Sequence, residues 1–213
     1  MTLDTFLNSV SKIKNLELPG EDAQVLMSPP YRLELMKLQK EKMKTAKQSA
    51  VMALLYPNTQ KELHIALILR NTYKGVHSAQ VSFPGGKQEP NESLLETSLR
   101  ETEEEIGIPK SDIKIIKEMT PMYIPPSNFS VQPFLGILDR TPQFVKDVVE
   151  VQEIIEVKIA DLIDETNVIQ TTVPTSYKLN VKVPALQLNE KIVWGATAMM
   201  LSELKVMLNQ VLT

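Results

Sequence analysis

Three glutamates near the middle of the sequence have a spacing that would place them side by side on a helix. They are Glu101, Glu104 and Glu105, at positions i, i+3 and i+4, and residues at these separations share one face of an α-helix. Like charges this close repel one another, and a hard divalent cation with oxygen ligands would neutralise them. Carboxylates without thiolate or imidazole neighbours favour Mg²⁺ or Mn²⁺. On spacing alone, however, an acidic helix face exposed to solvent is the more common explanation.

The residues around the glutamates predict a helix over 91–106. Asn91 is one candidate N-cap, and Ser93 with Glu96 is a second, since that pair can form a capping box. Gly107 suits the left-handed position that ends a helix. The apolar stripe of this helix is offset from its carboxylates, so the helix can pack on a core while the acids face a cleft.

A pair of glycines, Gly85 and Gly86, precedes the helix and follows a strand-like run over 79–83. Glycine permits unusual backbone angles and the close approach of a ligand. Arg100 stands four residues before Glu104, where it can brace that carboxylate. The combination of a glycine pair, a fixed gap and an Arg-Glu followed by Glu-Glu is more specific than an acidic helix, and it favours a functional site.

Residues 86–108 resemble the Nudix box, Gly-x5-Glu-x7-Arg-Glu-U-x-Glu-Glu-x-Gly-U, in which U is a bulky aliphatic residue. The positions that match in register are Gly86, Glu92, Arg100, Glu101, Glu104, Glu105, Gly107 and Ile108. One U position holds Thr102, which keeps a methyl group for packing. The resemblance implies an enzyme that hydrolyses a nucleoside diphosphate linked to another group, with Mg²⁺ or Mn²⁺ as its cofactor.

The same resemblance implies roles for the residues of the box. Glu101, Glu104 and Glu105 would bind the metal ion, with the backbone carbonyl of Gly86 nearby. Arg100 would form a salt bridge that orients the acids, and Glu92 would tie the preceding loop to the helix.

The general base is left open by the sequence. A carboxylate beside the attacking water can accept its proton, and in related enzymes a box glutamate or one outside the box has this role. Glu104 is the candidate within the box. Glu150 and Glu153 are the candidates outside it, although either is as readily explained as a charged turn before a strand.

A second resemblance concerns the coenzyme A diphosphatases within the Nudix group, whose extra motif runs roughly Leu-Leu-Thr-x-Arg-Ser-x3-Arg-x3-Gly-x-Val-x-Phe-Pro-Gly-Gly. The matching residues are Arg70, Val81, Phe83, Pro84, Gly85 and Gly86, and the departures are Ile68, Asn71, Gly75 and Ala79. Lys74 adjoins the missing arginine and could replace its charge, though not its bidentate fork. The resemblance implies substrate binding by Arg70, Lys74, Phe83, Gly85 and Gly86.

Cleavage of coenzyme A at its diphosphate would release 3′,5′-ADP and 4′-phosphopantetheine, or the acyl form. The 3′-phosphate needs a cation, and Arg70 and Lys74 are the candidates. Residues 123–129 resemble a loop that lies beside the cleft in the same subgroup. Two alternatives stay open: a Nudix diphosphatase of ADP-ribose or another nucleoside diphosphate derivative, and a nucleotide-sensing module without turnover.

Composition narrows the class of protein. The 213 residues carry a net charge of −3, so no global basic field favours nucleic acid as a partner. Cysteine is absent and histidine occurs twice, which excludes disulfides and zinc-thiolate sites and fits a cytoplasmic location. No apolar run approaches the length of a membrane span and no secretory signal is visible, so the cytoplasm is the expected location. The Nudix resemblance implies a small nucleotide as the substrate.

The pattern of elements predicts an α/β fold, a Nudix-type α/β/α sandwich with a mixed β-sheet. Residues 1–44 are expected to form an N-terminal helical extension, and residues 45–213 a Nudix hydrolase domain that includes a C-terminal helix over 196–211. Strands are predicted over 49–56, 62–70, 79–83, 113–119, 131–138, 152–159 and 177–188. Pro184 suggests an edge strand or a bulge, residues 17–34 an irregular connection, and the C-terminal methionines either core packing or a homodimer contact.

Overall fold

The structure is a computed structural model that describes residues 1–71, 80–174 and 180–212. Its helices are α1 (Leu3–Asn15), α2 (Gly20–Val25), α3 (Arg32–Leu38), α4 (Lys40–Met43), α5 (Leu94–Ile106), α6 (Ile159–Ile163) and α7 (Gly195–Leu212). Its strands are β1 (Lys47–Pro57), β2 (Leu63–Arg70), β3 (Val81–Ser82), β4 (Gly85–Lys87), β5 (Lys114–Glu118), β6 (Met122–Ile124), β7 (Phe129–Ile137), β8 (Val151–Lys158), β9 (Val168–Val173), β10 (Val181–Leu188) and β11 (Lys191–Trp194).

The strand β1 is the centre of the larger sheet. It runs parallel to β7 from Lys47 to Leu55 and antiparallel to β2 and β4. The strands β3 and β8 pair with β2, while β5 and β6 pair with β7. Because parallel and antiparallel pairs occur together, the sheet is mixed, as predicted.

Alternate residues of β1 point to opposite faces of the sheet, and each face is covered by helices. Met52 and Leu54 belong to the cluster that includes Ile106 of α5. Ala53 and Leu55 belong to the cluster that contains side chains of α1, α6 and α7. Successive strand residues point to opposite faces, so the apolar run of β1 feeds both layers, and the predicted α/β/α sandwich is confirmed.

The two helices at the ends of the chain pack in the same core. Phe6 and Ile13 of α1 are fully buried beside Leu204 of α7. The methionines of α7 also lie in this core, with Met207 fully buried, so core packing is the role the structure gives to the methionine stripe. The division into an extension over 1–44 and a domain over 45–213 stays a prediction.

Three local predictions were wrong. The connection over 17–34 contains α2 and the start of α3. Asn91 has a positive φ of 66° and does not cap the helix, which begins at Leu94. Pro184 does not lie on an edge strand, since β10 is the middle strand of a separate sheet with β9 and β11. The pairing of β11 begins only at Ala185, so β10 has one neighbour at Pro184 and tolerates its missing N–H.

Within the residues that the structure describes, no helix is both long enough and apolar enough to cross a membrane.

Candidate active site

The helix α5 is fixed at both ends by its own sequence. The Ser93 hydroxyl accepts a hydrogen bond from the Glu96 amide at 3.2 Å, and the Glu96 carboxylate accepts one from the Ser93 amide at 2.7 Å. This is the capping box offered by the second of the two predicted caps. At the other end Gly107 has φ 73° and its amide donates to Glu103 O at 3.0 Å. The two caps fix where the final turns of α5, with their glutamates, lie against the sheet.

The glycine pair brings the backbone of β4 against both β1 and α5. Gly85 has φ 151°, and a Cβ there would lie 2.3 Å from the carbonyl oxygen of Ala50. A Cβ on Gly86 would lie 2.4 Å from the carboxyl carbon of Glu101. Only glycine leaves room for these contacts, so Glu101 sits directly on the backbone of β4.

Arg100 is the centre of a network of carboxylates. Its guanidinium binds both oxygens of Glu92, with Nε–Oε1 at 2.8 Å and Nη2–Oε2 at 3.1 Å. Its Nη1 contacts one oxygen each of Glu101 and Glu104, both at 2.9 Å. Nη2 also donates to the carbonyl of Lys87 at 3.2 Å. Arg100 therefore connects the loop after β4 to two of the three clustered glutamates.

This network shifts the pKa of the groups within it. The hydrogen bonds from Arg100 hold the pKa of the Glu92 carboxyl at about 2. The same contacts, with Glu92 first, raise the pKa of the Arg100 guanidinium above its ordinary value. Glu92 is therefore ionised throughout the physiological range, as expected for a residue that holds the loop to the helix.

Glu105 is buried, with 2% of its side chain exposed. Its Oε2 accepts a hydrogen bond from the Gly85 amide at 2.7 Å, and its Oε1 lies 3.1 Å from Nη1 of Arg70. Burial raises the pKa of Glu105 to about 8, against the opposing effects of Arg70 and the Gly85 amide. Burial is also the main reason why the pKa of Glu101 is raised.

Glu150 lies at the edge of the same cluster. One of its carboxylate oxygens is 3.7 Å from Nη2 of Arg70, and 55% of its side chain is exposed. Its negative charge adds to the raised pKa of both Glu101 and Glu105. Of the two predicted bases outside the box, Glu150 is therefore brought to the cluster. Glu153 is bound instead to Lys191, at 2.6 Å.

A cavity of about 430 Å³ borders the cluster at Arg70, which lines the cavity and binds Glu105. Of the predicted substrate-binding residues, Arg70, Phe83, Gly85 and Gly86 line it, whereas Lys74 lies outside the described residues. The loop over 123–129 also contributes to the wall. Within that loop Phe129 lines the cavity, and Tyr123 is buried with its hydroxyl 2.9 Å from Asn128 Oδ1.

Two walls of the cavity had no signal in the sequence. One comes from the N-terminal segment and includes Tyr31, Arg32 and Leu35. The other comes from the junction of β11 and α7 and includes Trp194 and Met199. These residues are ordinary members of helices and strand ends, and only the packing of distant segments brings them to the cavity.

With this geometry in place, the comparisons with known proteins identify the family. The profile of the NUDIX domain matches residues 46–168. The chain belongs to the Nudix family of hydrolases. An uncharacterized Nudix hydrolase NudL from Yersinia enterocolitica is 29% identical to it over 146 residues, which cover 68% of this chain and 74% of that protein. Nudix hydrolase 3 from Caenorhabditis elegans is 29% identical over 160 residues, covering 68% and 67%.

The fold agrees with solved structures of the family. A MutT/nudix family protein from Enterococcus faecalis superposes with a TM-score of 0.52 at 18% identity, covering 78% of this chain and 62% of that one. The predicted membership of the Nudix family and its fold class are thus confirmed. The Nudix box occupies β4, α5 and the loop between them.

The donor chemistry of the Nudix box fits a divalent cation. Among the residues described, no three acidic or histidine side chains stand together as a ready-made ligand set. Arg100 binds Glu101 and Glu104, whereas Glu105 is bound by Arg70. All of these donors are hard oxygens of the kind that Mg²⁺ and Mn²⁺ prefer, and the side chain of Glu104 is 57% exposed, so it has room to turn away from Arg100.

Proposed function

We propose that this Nudix hydrolase cleaves the diphosphate linkage of coenzyme A or its derivatives, releasing 3′,5′-ADP and 4′-phosphopantetheine or its acyl form. The observation that carries the proposal is the position of Arg70. It ends β2, lines the cavity, and contacts both the carbonyl of Gly85 at 3.4 Å and Glu105 at 3.1 Å. The motif that resembles the coenzyme A diphosphatases is thereby joined to the Nudix box at one end of the cavity.

In this proposal Glu101, Glu104 and Glu105 hold Mg²⁺ or Mn²⁺. Such an ion neutralises charge on phosphoryl oxygens and lowers the pKa of water. Arg100 holds Glu101 and Glu104 in place relative to β4, since it donates hydrogen bonds to both carboxylates and to the Lys87 carbonyl. Phe83 is 1% exposed and lines the cavity with an apolar ring, which disfavours bulk water beside the diphosphate.

Glu150 is the base that we favour over Glu104. Its carboxylate is exposed at the mouth of the cluster, and its contact with Arg70 is a loose 3.7 Å. Glu104 is instead held by Arg100 at 2.9 Å. A base must lie within reach of the proton that it removes, and Glu150 borders the acidic cluster with its carboxylate exposed to solvent. Glu150→Gln should lower the turnover number while leaving the Michaelis constant nearly unchanged.

The proposal is tested by the products formed from coenzyme A. Chromatography should show 3′,5′-ADP when Mg²⁺ or Mn²⁺ is present and none after chelation. Glu104→Gln should lower the rate by about 10²-fold or more, because metal-based charge stabilisation is worth several kcal/mol. The matched control is Glu103→Gln on the same helix, since Glu103 is exposed and lies 3.8 Å from Lys110. Ordinary turnover by Glu104→Gln would refute the role of that residue.

The second candidate substrate is ADP-ribose or another nucleoside diphosphate derivative, which the departures from the coenzyme A diphosphatase motif at Asn71 and Gly75 favour. The structure gives Asn71 a local role, because its amide donates to the carbonyls of Val148 and Val149 at 2.9 and 2.6 Å. It therefore anchors the loop that carries Glu150, and its presence argues less strongly for another substrate. A panel that compares coenzyme A, ADP-ribose and dinucleotides by kcat/KM would separate the two candidates.

A nucleotide-sensing module without turnover is the third possibility. It would bind the nucleotide in saturating metal and leave it intact. The complete set of clustered acids argues against this role, since binding alone does not need all three.

A further inference from the structure

Arg32 is a cation on the wall of the cavity, in a segment that the Nudix domain match does not include. Its Nη2 donates to the backbone carbonyl of Tyr123 at 2.9 Å. Among the ion pairs of the described residues, none involves Arg32. Burial lowers the pKa of its guanidinium, while the charge of Glu21 acts in the opposite direction.

The surroundings of Arg32 make this arrangement costly without a ligand. The neighbouring wall of the cavity contains Leu35, Ile124 and Pro125, none of which has a side chain that accepts a hydrogen bond. A guanidinium carries five N–H donors in a planar fork, and burying a charge is unfavourable unless it is paired. The fork suits the oxygens of a phosphate group, which it can bind with two parallel hydrogen bonds.

Arg70 is less available for a phosphate than its sequence position predicts. The 3′-phosphate was expected to meet Arg70 or Lys74, but Arg70 is already engaged by Glu105 and lies 3.7 Å from Glu150. A second anion placed beside those carboxylates would be repelled by them. The part of the cavity beside the carboxylates is thus suited to a diphosphate bridged by a metal ion. A further phosphate group requires a basic side chain other than Arg70.

The pairing of the strands relates the backbone that binds Arg32 to the end of β4, where the carbonyl of Lys87 accepts a hydrogen bond from Arg100. Tyr123 pairs with Ser130 of β7, and Ser130 pairs with Gln48 of β1. Gln48 in turn accepts a hydrogen bond from the amide of Gln88, which follows β4. These residues form one row across the sheet, and three strand spacings of about 4.8 Å amount to about 14 Å. A nucleotide with two separated phosphate groups can span part or all of that row.

We propose that Arg32 binds a second phosphate group of the substrate, a phosphomonoester located away from the diphosphate. The inference rests on the proposed function, because it takes the diphosphate to lie at the Nudix box. It makes the N-terminal segment a determinant of specificity that favours nucleotides with a phosphorylated ribose over nucleotides without one.

The kinetic test compares two substrates that differ by one phosphate, coenzyme A and 3′-dephospho-coenzyme A. Arg32→Gln should lower kcat/KM for coenzyme A by about 10- to 100-fold and change kcat/KM for 3′-dephospho-coenzyme A by less than threefold. Lys37→Gln, which removes an exposed charge from the same helix, should change neither value. Equal losses on both substrates, or no loss on either, would overturn the inference.

Arg32→Lys guards against a variant that fails to fold. Lysine keeps the charge but lacks the bidentate fork, so it should show the same selective loss at a smaller size. Thermal melts of each variant establish that the compared proteins are folded at the assay temperature.

A binding measurement separates this inference from the proposed function. Calorimetry with 3′,5′-ADP and with 5′-AMP requires no turnover. Arg32→Gln should weaken the binding of 3′,5′-ADP about tenfold or more and leave that of 5′-AMP unchanged, even if the wild-type protein proves not to hydrolyse coenzyme A. If the wild type hydrolyses coenzyme A but Arg32→Gln binds 3′,5′-ADP as tightly as the wild type does, the function stands and the inference is wrong.

Discussion

Replacing Gly86 with alanine should impair turnover far more than it impairs folding. The new Cβ would lie 2.4 Å from the carboxyl carbon of Glu101, whereas ordinary contact begins near 3.4 Å. The carboxylate must therefore retreat by about 1 Å, and its bond to Arg100 would be strained or lost. Since the end of a glutamate side chain is flexible, the expected cost in the free energy of unfolding is about 1 kcal/mol, comparable to one hydrogen bond.

The effect on rate should be much larger. A displacement of about 1 Å in a group that positions the reaction costs roughly 100-fold in rate. We therefore expect Gly86→Ala to lower kcat by about that factor in initial-rate assays of diphosphate hydrolysis with Mg²⁺ or Mn²⁺. Because the displaced group is a proposed metal ligand, the concentration of metal needed for half-maximal rate should also rise.

Gly85→Ala is the matched control, since it makes the same chemical change one residue earlier. There the new Cβ would meet backbone atoms, Ala50 O at 2.3 Å and Val51 Cα at 2.6 Å, which cannot move aside, and φ is 151°. Backbone strain alone costs about 1–3 kcal/mol, so a loss of about 3 kcal/mol or more is expected, and Tm should fall by roughly 6–12 °C. If Gly86→Ala kept full activity, or lost as much stability as Gly85→Ala, the reasoning about Glu101 would be refuted.

Three further variants test the buried charges. Glu92→Gln should lower the free energy of unfolding by about 2 kcal/mol at neutral pH because it leaves Arg100 partly unpaired. Since the pKa of Glu92 is held at about 2, the difference in unfolding free energy between wild type and variant should be complete above pH 4.5 and fade toward pH 2. Denaturant titrations measure this difference, and a value that does not change with pH would contradict the prediction. In metal-free buffer the pKa of Glu105 is raised to about 8, so between pH 4.5 and 8 the native state keeps a proton that the unfolded chain releases. The free energy of unfolding should therefore fall as the pH rises through this range. In thermal melts, the stability of Glu105→Gln should lack this dependence on pH. An unchanged dependence would mean that other groups cause it. Glu203 is fully buried and accepts hydrogen bonds from Gln24 at 3.0 Å and Thr120 at 2.6 Å. Glu203→Ala should therefore lower the free energy of unfolding in urea by about 3 kcal/mol and leave kcat unchanged below the melting range. A loss of less than about 1 kcal/mol would contradict this prediction.

Local signals account for the parts of the fold that the sequence predicted. The helix α5 has its caps, its apolar stripe and its terminating glycine within a few residues of one another. The strands predicted over 49–56 and 62–70 are found as the hairpin of β1 and β2. Asn58 forms its turn, with its side chain accepting hydrogen bonds from the amides of Gln60 and Glu62 at 2.9 Å each. In both cases the stabilising contacts are near in sequence, so the residue pattern was sufficient.

The features that the sequence did not predict depend on distant partners. The strand β4 is three residues long and exists because it pairs with β1. At the start of α5, Asn91 and Ser93 are both good capping residues, but Asn91 adopts a φ of 66° and Ser93 forms the capping box with Glu96. The two cavity walls that contain Arg32 and Trp194 come from segments more than 150 residues apart, and no local pattern marks either residue.

The two cavity walls formed by the N-terminal segment and by the junction of β11 and α7 have a consequence for synthesis of the chain. Residues 29–35 leave the ribosome about 160 residues before residues 194–200 do. A nascent chain that stops at residue 190 has its acidic cluster but only part of the enclosure that would hold a nucleotide. A nucleotide that is present during translation therefore lacks part of its binding surface until α7 has been made. It can stabilise the nascent protein by binding only after that point.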